Sequence, residues 1–163
     1  MRRGRLGGVR GGRRQFRWRR GTRRNAWLRG GLVLLALVSG FTGGSALLEP
    51  RAFFFRFPRP GQNWVAQLPP FNEHLVVDVG AFFLAFAVLF VWAAIALDAR
   101  LTRASLVAWL VFSIPHLIFH VSHTARFDAL DRTLQTAALA LTVAVPLVLL
   151  ALTRERRRSG LGI

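Results

Sequence analysis

Four apolar runs of about 20 residues follow one another through most of this chain, each long enough to span a hydrocarbon core. An α-helix rises 1.5 Å per residue and the core of a bilayer is about 30 Å thick. The runs are Gly30–Leu48, His74–Leu97, Ala104–Ser122 and Leu134–Leu152. None carries the polar stripe that would let a helix lie half in water. The expected fold is therefore all-α: a four-helix transmembrane bundle over 30–153, one domain, with basic tails at 1–29 and 154–163.

Composition supports that segregation. The chain has 163 residues, is 53% hydrophobic with a mean hydropathy of +0.38, and yet carries a formal charge of +16. These values coexist only where apolar and basic residues are kept apart along the chain. All 23 basic residues are Arg. Cysteine is absent, which excludes disulfides, thiolate metal sites and cysteine nucleophiles. Tyrosine is absent as well, so Trp and Phe are the aromatic anchors.

The Arg/Gly segment 1–29 has no apolar periodicity and cannot bury enough surface to offset its ordering entropy, which predicts disorder. Its arginines suit anionic lipid headgroups, each adding about 1 kcal/mol near a membrane surface. Nonspecific nucleic-acid contact and a plain orientation signal are the alternatives, and no specific nucleic-acid partner is expected. Arginine also falls at Arg100, Arg103 and Arg154–Arg158. Between Glu49 and Phe71 there are only Arg51, Arg56 and Arg59, and Arg126 and Arg132 are balanced by Asp128 and Asp131. The positive-inside rule then places both termini in the cytoplasm of a multi-pass plasma-membrane protein. A competing reading takes the first run as a cleaved signal peptide ending near Ala46, with Arg23-Arg24 echoing a twin-arginine signal.

The outer segment EPRAFFFRFPRPGQNWVAQLPPF suits either a loop lying at the headgroup level or a lid over an outward-facing site. It ends at a helix start: Asn72 as N-cap, Glu73 in the first turn, and Phe71 with Val76 as a hydrophobic staple.

All four histidines lie in two short stretches, NEHLVVD and PHLIFHVSH. At 100° per residue His116, His120 and His123 share one helical face within about 60°. His74 and Asp78 stand at i, i+4, beside Glu73. In an up-down bundle these six residues fall at the outer ends of two adjacent helices. Ionisable groups inside a span are expensive and usually face the bundle interior or a water-filled cavity. Pro115, which cannot donate to the carbonyl of Val111, allows a kink there.

Three readings stand open. Imidazoles with Asp78 or Glu73 suit a divalent transition metal such as zinc, copper or iron, with haem a lesser variant. The same groups suit a proton-conducting or pH-sensing network. In the third reading they only fix helix packing, in a structural or interaction subunit that forms homo- or hetero-oligomers. Gly40, Gly43 and Gly44 offer a close-packing surface, and Pro146 a kink. No phosphate-binding glycine loop, serine nucleophile elbow or internal repeat points to an enzyme.

The stretches FNEHLVVDVGAFFLAFAVLF and LVAWLVFSIPHLIFHVSH resemble small bacterial four-helix integral membrane proteins of uncharacterised families, loosely DoxX-like in layout. The resemblance covers roughly 65–150 and implies fold and topology only. The cysteines that accompany redox roles in some DoxX-like proteins are missing here.

Overall fold

The computed structural model describes residues 23–154, so segments 1–22 and 155–163, read above as parts of the two basic tails, lie outside the described residues. The described chain is five helices without a strand: α1 (Arg23–Leu48), α2 (Pro50–Arg56), α3 (Glu73–Ala96), α4 (Ala99–Ser122) and α5 (Ala129–Arg154). All but α2 are long and apolar enough to cross a membrane. Their large side chains face outward freely, with Trp27, Ile95 and Val111 each more than 70% exposed. In water such surface would be a severe aggregation liability, whereas lipid solvates it. The chain is an integral membrane protein.

Each long helix begins before its apolar run does. Residues 23–29, read above as tail, are helical. Leu28 is 1% exposed, and the Arg29 Nε donates to the Ala94 carbonyl at 3.0 Å, so this basic stretch packs against the end of α3. The link between α3 and α4 shrinks to Leu97 and Asp98. Leu97 closes α3 in the left-handed conformation (φ 47°), its N–H donating to Ala93 O, and the Asp98 carboxylate accepts from the N–H groups of Arg100 and Leu101. Arg100 and Arg103 thus belong to the first turns of α4. Asp128 likewise accepts from the Asp131 N–H, starting α5 about a turn before Leu134. At α3 the expected Asn72 cap is present, accepting from the Leu75 N–H at 3.1 Å, and Phe71 packs in the same cluster as Val76.

The bundle is built from two antiparallel pairs, α1 on α3 and α4 on α5. Gly43 and Gly80 meet where α1 crosses α3: a Cβ on Gly43 would stand 2.7 Å from the Gly80 carbonyl oxygen. Backbones approach there as only glycine permits. In the second pair the Trp109 Nε1 donates to the Thr142 carbonyl at 2.8 Å. That carbonyl lies four residues before Pro146, which has no N–H to offer it. Arg103 fastens the other end, donating to Thr153 Oγ1 and to the Thr153 carbonyl near the end of α5. An arginine at a helix C-terminus satisfies orphan carbonyls and the helix dipole together.

The two pairs join through aromatic rings. Phe83, Phe86 and Phe90 of α3 surround Trp109 of α4 at centroid distances of 5.3 to 5.6 Å, all steeply inclined to it. With Leu28, Leu32 and Leu35 of α1 and Leu149 of α5 they form the main core. That contact occupies the half of the bundle nearer the Leu97–Asp98 turn. Toward the opposite end, where the long 49–72 segment lies, α3 and α4 separate.

Candidate functional site

At that end lies a partly open cavity of about 560 Å³, with walls from all four long helices, α2 and the 57–70 segment. The 49–72 segment folds inward over it. Phe53 and Phe54 are buried against Ala46 and Val76, with Phe57, Val65 and Phe71 packed around them. Phe55 alone of this group is exposed. The segment is pinned to α5 by Gln62, whose Nε2 donates to the Asp131 carboxylate at 2.9 Å, and the Arg59 Nε donates to Gln62 Oε1.

The walls are overwhelmingly apolar: Leu35, Val79, Phe83, Phe112 and Val145 are representative. Polar groups are few: Thr42, Asn72, His116, His120, Gln135 and Thr142, with the indole of Trp64. Among the described residues no Arg, Asp or Glu lines the cavity. His116 stacks on Phe112 (centroids 5.0 Å, 21° between planes) and meets the His120 ring edge-on at 4.5 Å. Phe112, His116 and His120 follow at i, i+4 and i+8, so one helical face continues the aromatic column of the core into the cavity as imidazoles. Gln135, 4% exposed in α5, is a hydrogen-bonding neighbour of His120.

The six residues expected at one site are divided by the structure. His116 and His120 are together at the cavity wall. His123 ends α4 in an exposed position, its ring stacked on Phe119 at 4.2 Å and its Nδ1 2.8 Å from the Phe119 carbonyl. His74 and Asp78 lie on the outer face of α3, paired with each other at 3.2 Å and 86% and 59% exposed. Glu73 is exposed in the first turn. Among the described residues no group of three or more His, Cys, Asp or Glu stands together to hold a metal ion. The reason is helical phase. Val76, Gly80 and Phe83 take the inner face of α3, which turns positions 74 and 78 outward.

Sequence reasoning passed over Gln135 and Thr142, and read Trp64 only as one of the aromatic groups of the outer segment, at the headgroup level or in a lid. The available signal was Gln135, a lone amide inside an apolar run, where an unpaired polar group is costly. The chain matches no protein-family model, no curated protein and no solved structure.

Proposed function

We propose that this protein sits in the plasma membrane with both termini cytoplasmic and takes a small apolar molecule from the lipid phase into the cavity between its helix pairs. The cavity itself carries the reading: its volume of about 560 Å³ lies within the range of small-molecule sites, roughly 300–1,000 Å³, and its walls suit an apolar guest. The inward-folded 49–72 segment acts as its roof on the outer side. A photoreactive alkane bearing a diazirine tests this in nanodiscs. Val145 faces the cavity and Val148, on the same helix, is 59% exposed on the outside. Both become labelled, and filling the cavity with Ala138→Trp abolishes labelling at Val145 while sparing Val148. Labelling at Val145 that persists unchanged in the filled variant overturns the reading.

The close approach of His116 and His120 supports a second reading, a transition ion (zinc, copper or iron) held by this imidazole pair. His74, Asp78, Glu73 and His123 have no part in it. Metal analysis of the detergent-purified protein decides: stoichiometric metal lost in both His116→Ala and His120→Ala favours the ion, and metal-free protein eliminates it.

A further inference from the structure

Two nitrogens at the cavity wall have no partner among the described residues. Trp64 Nε1 and His120 Nδ1 are both buried and unbonded, and both residues line the same cavity. They come from unrelated parts of the chain, one from the roof and one from the last turn of α4, so a single local irregularity does not explain them. An indole N–H can only donate, while an imidazole nitrogen donates to a carbonyl or accepts from a hydroxyl. Buried groups of this kind are nearly always satisfied, by protein, water or ligand. Gln135 adds a buried amide beside His120. The remaining walls are mostly apolar, and no Arg, Asp or Glu among the described residues reaches the cavity to balance an ionised guest. A charge placed there would be desolvated without a counter-charge.

We infer that the occupant is a neutral amphiphile: an apolar chain or ring system ending in a hydroxyl or carbonyl oxygen that meets Trp64 and His120 beneath the roof. The inference rests on the cavity reading above and adds the headgroup. A lipid phosphate or a fatty-acid carboxylate is the wrong chemistry for this wall.

Competition in nanodiscs containing the full chain tests it, with three sixteen-carbon probes that differ only at the head. Hexadecane, hexadecan-1-ol and palmitate compete against the photoreactive alkane for labelling of Val145. The alcohol is expected to displace it at about tenfold lower concentration than hexadecane, as one or two buried hydrogen bonds imply. Palmitate gains no such advantage. Trp64→Phe with His120→Leu removes the alcohol's advantage, so that alcohol and alkane displace the label at similar concentrations. Trp64→Phe alone, which removes the N–H together with the five-membered ring, narrows the gap between alcohol and alkane and guards against a misfolded double variant. Equal displacement by alcohol and alkane in the wild type overturns the headgroup assignment while the cavity reading stands. Palmitate matching the alcohol overturns the neutral head. Absence of any cavity labelling defeats the cavity reading first, and the headgroup with it.

Discussion

Pro146 removes one N–H from the middle of α5, and the carbonyl it abandons is the one to which Trp109 donates. The indole therefore does two things at once: it fills the aromatic core and replaces a missing backbone donor from a neighbouring helix. Trp109→Phe keeps a ring in the core but leaves the Thr142 carbonyl unpaired where water is scarce, a loss of about 1 kcal/mol within the range of interhelical hydrogen bonds in membranes. Restoring the N–H with Pro146→Ala supplies that carbonyl from within α5, so Trp109→Phe becomes less damaging in that background. Reversible unfolding of the two single variants and the double variant in mixed micelles measures the coupling. Strictly additive effects contradict this pairing. The proline was visible in the sequence as a kink, but its partner was not, because an indole three dozen residues earlier is linked to it only by how α4 lies against α5.

The helix pairs are set by their tightest crossings. At Gly43 even a methyl group meets backbone atoms of α3 rather than a movable side chain, whereas a Cβ at Gly44 finds nothing within 4 Å. Gly43→Ala is expected to lose about 1–3 kcal/mol through forced separation of α1 and α3. Gly44→Ala is neutral or stabilising by up to about 1 kcal/mol, since alanine is the better helix former. Thermal unfolding in detergent separates the two, and equal effects refute the crossing described. The existence and order of the four spans were legible from hydropathy alone, and so was the Asn72 cap. Their ends were not. Arg29, Arg100 and Arg103 reduce the apolar signal, yet they sit inside helices because Asp98, Ala94 and Thr153 give them or their neighbours hydrogen-bonding work at helix termini. The glycine stripe was read as a whole, although Gly43 with Gly80, which went unremarked, makes the contact.

Across the whole molecule, the orientation proposed above rests on the distribution of arginine. Gly61 and Arg100 are exposed at opposite ends of the bundle, and the chain has no native cysteine to confuse labelling. Gly61→Cys should react with a membrane-impermeant maleimide added to intact cells, and Arg100→Cys only after permeabilisation. The reverse pattern places the roofed end of the cavity in the cytoplasm. That histidines would gather at this end was legible from spacing, but which of them face inward depends on the phase of α3 against its neighbours, and that phase is fixed by Gly80 and Phe83 rather than by the polar residues themselves. The cavity left no periodic mark at all, since its walls are the same residues a solid core would use. The turn at Leu97–Asp98 has a consequence for how the two helix pairs can move. Two residues reach only about 7 Å, so the end of α3 and the start of α4 are held at the same depth in the bilayer. A displacement of one pair along the bilayer normal carries the other with it, and flexible residues inserted at this turn should release that coupling.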